Sequence, residues 1–493
     1  MDTKKLRQKV LDLAIRGKLV SQDPNDEPAY VLLERIRNEK ERLIEEGKIK
    51  RDKKESKFEK SHYRKSITNN ELQITNEEVP FEIPYNWEWA KLGDIFEINP
   101  TNNLDDKIDV SFIPMKLISD GFANKHTAEI KKWLDIKKGF THFQEGDVGL
   151  AKITPCFENR KSVVFQNLKS GFGAGTTELH VLRPISEPFL SNYLIWFVKT
   201  EDFITNGVNC FTGAVGQQRI GKIVIEKTYF PLPPLEEQHR IVQKIEDCFA
   251  LIEQIEQNKL SLSQVLKQIK YKVLDLAIHG KLVPQDPNDE PASVLLEKIK
   301  KEQKNPKSSA DILHYPFEVP EGWVWCKLNE IGVTNIGLTY KPSEVCNNGV
   351  PVLRSNNIKG EKLDLSDLVK VSSKLTDNLN ITSGDILICA RNGSRTLVGK
   401  CALISDTDEI LTFGAFMAVY RSSFNQYIFR FLNSSYFRSR LDESNSTQIN
   451  QLTQDMLKNT FIPLPPIAEQ HRIVSKIEQF FAQIDEIENS IKA

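Results

Sequence analysis

The sequence predicts an α+β chain: two mixed α/β domains separated by long antiparallel coiled-coil helices, with pseudo-two-fold (circular) symmetry. Three observations predict it. Three pairs of internal repeats occur in the same order, a heptad runs unbroken through the middle, and strand-like runs fill the intervals between repeats.

The repeats come first because they set the frame. Lys9–Ala29 (KVLDLAIRGKLVSQDPNDEPA) and Lys272–Ala292 (KVLDLAIHGKLVPQDPNDEPA) agree at 19 of 21 positions. Val79–Ile95 and Tyr315–Ile331 agree at nine of 17, and Pro231–Glu256 and Pro463–Glu488 at 18 of 26. Chance does not produce three such pairs in one order, so the chain is internally duplicated. Between the second and third landmarks lie divergent segments of similar length, from about Phe81 to Phe230 and from Phe317 to Ile462. Each holds short β-branched and aromatic runs broken by Gly, Asn and Asp, such as KSVVF (161–165) and DILIC (385–389), which read as strands. The expected layout is a helical region at 1–38, a charged insert at 39–78, a first domain at 79–230 and a central helical region at 231–292. A linker at 293–314, a second domain at 315–462 and a terminal helix at 463–493 complete it.

The helical parts keep a step of four and three. Ile241, Ile245, Cys248, Ile252, Ile255, Leu262, Leu266, Ile269, Val273 and Leu276 are apolar on that step, with Lys259 the exception, and no Gly or Pro interrupts 235–279. A 3.5-residue repeat predicts a long helix packed along another helix, about 54 Å from Ile241 to Leu276. Ile473, Ile477, Phe480, Ile484, Ile487 and Ile491 keep the step, as do Leu6, Val10 and Leu13. The two chain ends therefore supply the partner for the central helix, antiparallel to it. The same seam could instead be buried between two chains of a homodimer. Gly280 is placed to end the central helix. PLPP (231–234, 463–466) predicts an extended exit that continues neither strand nor helix. QDPNDEP (22–28, 285–291) turns the chain and caps the short helix that follows. The insert 39–78, basic from Lys48 to Lys65, predicts a helix running into a mobile linker.

Composition bounds the function. No run of about eighteen apolar residues exists, and the first residues, MDTKKL, lack a signal-peptide core, so a cytoplasmic protein without a membrane segment is expected. Seven scattered cysteines form no CxxC pair and predict neither a zinc site nor disulfides. A net charge of −1, from 66 basic and 67 acidic residues, lacks the basic excess of a protein that grips phosphates unaided. Gly171–Gly175 (GFGAG) reads as a turn, not a nucleotide loop. Gly216–Lys222 (GQQRIGK) matches a P-loop as far as its lysine, but Ile223 follows, which cannot ligate magnesium. No Asn/Asp-Pro-Pro-aromatic tetrapeptide is present to hold a flipped adenine. No catalytic residues and no metal ligands are assigned.

The chain resembles the specificity subunits of type I restriction-modification systems, over nearly its whole length. The residues that carry the resemblance are PLPPLEEQHRIVQKIE (231–246), PLPPIAEQHRIVSKIE (463–478) and both KVLDLAI helices. The openings PFEIPYNWEWAKLGDI and PFEVPEGWVWCKLNEI and the strand starts Gly146-Asp147 and Gly384-Asp385 belong to the same set. The resemblance implies two target-recognition domains, each reading one half of a split double-stranded DNA sequence, with the helices setting the gap. It implies two methyltransferase subunits that use S-adenosylmethionine, and motor-nuclease subunits that use ATP and Mg²⁺. The chain itself is then a non-catalytic subunit with no cofactor of its own.

Base reading calls for Arg, Lys, Asn, Gln, Ser or Thr on loops or helix starts. The first-domain candidates are Lys152, Thr154, Asn159, Arg160, Lys161, Thr176, Thr177, Gln217, Gln218 and Arg219. In the second they are Arg391, Asn392, Ser394 and Arg395, with Gln448, Asn450 and Gln451 in the position of Gln217–Arg219. The repeated EQHR (237–240, 469–472) is expected to serve packing or methyltransferase docking. Two other functions remain compatible with the sequence: a coiled-coil adaptor joining two protein-binding domains, or the specificity module of another phage-defence or methylation complex.

Overall fold

The computed structural model describes residues 2–49, 79–214, 216–302, 315–372, 375–405, 409–444 and 451–492. The insert beyond residue 49 and the linker 303–314 lie outside the described residues, so the mobile-linker expectation is untouched; the helix leading into the insert runs Ala29–Glu45. The chain forms two compact units, Met1–Asn258 and Lys259–Ala493. One continuous helix, Leu235–Ile278, begins in the first and ends in the second. No helix among the described residues is long and apolar enough to cross a membrane.

In the first unit the N-terminal helix Thr3–Ile15 lies antiparallel to the start of the central helix. Val10, Leu11, Ala14 and Ile15 share a core with Ile241, Val242 and Ile245, and Arg7 forms a bidentate pair with Glu256 at 2.7 and 2.9 Å. In the second unit the C-terminal helix Ile467–Lys492 does the same for the end of the central helix. Ile473 and Ile477 pack with Val273, Leu274 and Ile278, while Lys270 bonds Asp485 at 2.7 Å. The partners are thus segments of the same chain. The seam is uneven: Ile252 and Leu266 are buried, whereas Leu6, Leu262, Ile269 and Ile487, all expected to be inside, are exposed.

Each domain holds two larger sheets closed by a two-stranded ribbon, and the second adds a short hairpin, Ile358–Lys359 with Lys362–Leu363. In the first, the antiparallel order is Phe96–Ile98, Leu179–Pro184, Val148–Ala151, Ser162–Val164. A second sheet runs Glu129–Lys132, Asp109–Ile113, Phe172–Gly175, Thr141–Gln144, with its middle pair parallel. The second domain repeats the first sheet as Val333–Ile336, Met417–Arg421, Ile386–Cys389, Cys401–Leu403. Its other sheet has three strands, Val369–Val371, Val345–Leu353 and Thr412–Phe413. Two expectations fail here. GFGAG is neither a nucleotide loop nor a turn but the strand Phe172–Gly175; a Cβ on Gly173 would stand 2.2 Å from the Phe143 ring. Pro231 and Pro463 do continue a strand, opposite Trp89 and Trp325. A ribbon of only two strands has free outer edges, where a proline's missing N–H costs no ladder bond.

The repeated motifs meet one another. Glu237, fully buried, accepts from the indole of Trp87 at 2.9 Å and from Gln22 at 2.6 Å, and Arg240 forks onto Asp26. Glu469, Trp323, Gln285, Arg472 and Asp289 repeat these contacts in the second unit. Burial pushes the Glu237 and Glu469 carboxyls up, against the donors that surround them. The EQHR motif therefore fastens domain to helix, as the packing alternative expected. Gly17 and Gly280 complete the joint at φ +64° and +66°, where a Cβ would meet Pro84 or Pro320 at 2.2 Å, so only glycine fits.

The Gly-Asp strand starts are also structural. Asp147 and Asp385 are buried and bind Arg183 and Arg421 through two guanidinium nitrogens each. Burial raises the Asp147 pKa despite that partner. Breaking a buried pair strands its remaining charge, so Asp147→Ala is expected to cost about 3 kcal/mol. Hydrogen exchange reads the loss: protection should fall in strand Val148–Ala151 and stay unchanged in Ile386–Cys389. Equal protection in both strands would refute the assignment.

Candidate nucleic-acid interface

In both domains the central buried strand of the first sheet runs out into a polar loop. The candidates gather there because a second segment crosses the loop's first residues. In the first domain, Ile153 forms an antiparallel bridge with Arg219, Thr154 N donates to the Gln218 carbonyl at 3.0 Å, and Ile220 N donates to that of Lys152 at 2.9 Å. Lys152, Thr154, Gln217, Gln218 and Arg219 are thereby brought together. Lys152 N reaches the Glu178 carbonyl, which adds the turn holding Thr176 and Thr177. Thr177 and Gln217 are exposed, whereas the Thr176 hydroxyl caps Glu178 N at 3.1 Å and the Thr154 hydroxyl donates to Glu158.

The far half of that loop turns inward, which corrects two candidates. Arg160 is buried; its Nε donates to the Lys199 carbonyl at 3.1 Å and a second nitrogen binds Glu201. The Lys161 ammonium donates to the Met115 and Ile118 carbonyls at 3.2 and 3.0 Å. These cations satisfy backbone oxygens that the irregular chain leaves without ladder partners. Lys199 beside them is fully buried on three carbonyls, of Gly121, Arg160 and Ser162, and burial pulls its pKa down to about 7. Asn159 remains exposed at the turn between the two halves.

The second domain repeats the geometry with other side chains. Arg391 bridges Gln451, and Leu452 N donates to the Ala390 carbonyl at 2.8 Å. Gln451 is half-buried; Gln448 and Asn450 lie outside the described residues. Asn392 donates to the Ser355 hydroxyl at 3.2 Å and accepts from Ser394 N, so the loop is pinned rather than loose. Arg391, Ser394 and Arg395 are exposed on it. Among described residues no group of three or more His, Cys, Asp or Glu could hold a metal. Sequence reasoning missed Glu178 and Phe416, which belong to these clusters; both sit in segments where the two halves diverge, so no repeat pointed to them.

Two domains on a shared helical frame, each displaying a polar loop cluster of its own composition, define a two-headed recognition scaffold. The comparisons identify which. The family model described as type I restriction modification DNA specificity domain matches residues 84–264 and 320–493. The EcoAI and EcoEI type I restriction enzyme specificity subunits of Escherichia coli are each 36% identical over 99% of this chain, which covers 90% and 91% of their lengths. The chain belongs to the type I restriction-modification DNA specificity family, and its catalytic work lies with other subunits of the complex. In fold it is similar to a chain from a type I R-M assembly (TM-score 0.58, 22% identity, 84% of this chain and 94% of that one). It is likewise similar to the HsdS subunit from Thermoanaerobacter tengcongensis (TM-score 0.54, 19% identity, 84% and 93%).

Proposed function

We propose that this specificity subunit reads an asymmetric, split double-stranded DNA sequence, one block per domain. It serves as the cytoplasmic scaffold on which two methyltransferase subunits and the motor-nuclease subunits assemble. Those partners bring S-adenosylmethionine, ATP and Mg²⁺. The observation that carries this reading is the contrast inside one molecule. The contacts that fasten each domain are the same residues twice, while the loop clusters they hold out differ at nearly every side chain. Identical frames with unlike faces suit two unlike targets. The near-zero net charge fits a chain that shares the phosphate grip with partners.

The test is the methylome of a host carrying the chain with its partner subunits. Two unlike blocks separated by unread bases are expected, and a palindrome or one continuous block would overturn the reading. The purified chain alone should turn over no S-adenosylmethionine in the presence of DNA. Robust turnover would show that a catalytic site had been missed.

A further inference from the structure

The two clusters carry an arginine, half-buried in the first and exposed in the second, on opposite sides of one backbone bridge: Ile153 faces Arg219 in the first domain, Arg391 faces Gln451 in the second. The backbone establishes the equivalence. Lys152 N donates to the Glu178 carbonyl and Ile220 N to that of Lys152; Ala390 N donates to the Phe416 carbonyl and Leu452 N to that of Ala390. Glu178 and Phe416 therefore hold the same place, one residue ahead of Leu179 and Met417, which pair with Ala151 and Cys389. Each touches its own domain's arginine, by different chemistry.

Glu178 accepts from Nε and one terminal nitrogen of Arg219 at 2.9 and 2.8 Å, and the other terminal nitrogen donates to the Gln217 carbonyl at 2.9 Å. Of five guanidinium N–H groups, two remain, enough for one bidentate contact in one orientation. In the second domain the Arg391 guanidinium lies 5.6 Å from the centroid of the Phe416 ring, and that ring is 62% exposed. Attraction to a ring takes up no N–H group by hydrogen bonding and leaves them for another acceptor. Neither contact does much for folding: exposed ion pairs and exposed cation–π pairs are both weak. What each does is restrict where a guanidinium can point.

We propose that residues 178 and 416 are positioning residues that set the specificity of the two halves. Glu178 holds Arg219, and Phe416 carries Arg391, against the O6 and N7 edge of a guanine in the major groove. The fork left by Glu178 is fixed in its plane. The ring of Phe416 holds Arg391 without a directional hydrogen bond, so the guanidinium keeps freedom to turn, and the ring offers its own exposed face to a thymine methyl or a neighbouring base. The same scaffold position thus gives a hydrogen-bonded reader in one domain and a ring-held one in the other.

The proposal rests on the reading of one block per domain, and the parent complex tests that reading separately: a parent motif without two blocks refutes it whatever the variants do. The experiment uses the whole complex in a host and reads the methylome of R219A, E178A and E178Q, then of R391A, F416A and F416Y. E178A and R219A should lose preference for guanine at the same single position of one block, by about tenfold or more, with the other block unchanged. F416A and R391A should do likewise in the other block, and F416Y, which keeps the ring face, should retain the parent motif. E178Q, which keeps shape but loses charge, should fall between parent and E178A. The proposal is overturned if arginine and buttress variants relax different positions, or if the motif is unchanged in R219A, E178A, R391A and F416A. It is equally overturned if methylation falls evenly at all sites or vanishes in both Glu178 variants, because that is what a purely structural role would give.

Discussion

Exchanging residues 81–230 for the first domain of another member of the family should replace one block of the methylated motif and leave the other block intact. The effect is expected to be complete, because the exchanged segment contains the whole first loop cluster, from Lys152 to Arg219, and none of the second. The frame tolerates the exchange on one condition. Glu237 and Gln22 lie outside the segment, but the indole that donates to Glu237, Trp87, lies inside it. The donor domain must therefore bring a tryptophan at that place; without one, the buried Glu237 loses one of its two neutral donors. Change in both blocks, or in neither, would sink the assignment of one half to each domain.

Inserting seven residues between Ile255 and Leu262 should widen the unread gap by up to about three base pairs. Seven residues add about 10 Å of helix and return the heptad nearly to phase, about 20° short. DNA rises roughly 3.4 Å per base pair. The terminal helices do not oppose the change. The N-terminal helix is tied as far along as Glu256 and the C-terminal helix as far back as Lys270; between them Leu266 is buried, while Leu260, Leu262 and Val265 are exposed. The insertion thus enters a stretch where no seam contact has to break. A four-residue insertion turns all that follows by about 40° and should depress methylation more, through mis-set methyltransferase docking. The readout is the motif of each variant. A gap unchanged at full activity after the seven-residue insertion would mean that the helix is not the spacer.

Much of this was legible in the sequence because duplication left identical residues wherever the two halves need identical contacts. Asp26 with Arg240 and Asp289 with Arg472 could be anticipated as a set, though not as pairs, since a repeat marks which residues matter and not which touch. The heptad located the helices but overstated their burial at Leu262 and Ile269, because periodicity reports what a helix could bury and not what its partner covers residue by residue. Pro231 and the glycines of 171–175 were misread for a related reason. Local propensity disfavours them in strands, and tertiary placement on an outer edge, or beneath Phe143, overrides it. The candidate site was legible as a region and not as side chains. A basic residue in a polar loop looks the same in sequence whether it faces water, like Arg391, or backbone carbonyls, like Arg160 and Lys161.

The joint built from Gly17, Gln22 and Asp26, and rebuilt from Gly280, Gln285 and Asp289, has a consequence for the gene. Residues 9–29 and 272–292 are near-identical stretches of protein that sit at the same point of two interchangeable joints. A crossover between the DNA segments that encode them would excise the first domain together with the central helix, in frame. It leaves Gln22 and Asp26 facing Glu469 and Arg472 in place of Gln285 and Asp289. The product keeps every fastening contact of a complete unit, so the protein's inheritance can shuffle or shed what it reads without having to reinvent how the reader is held.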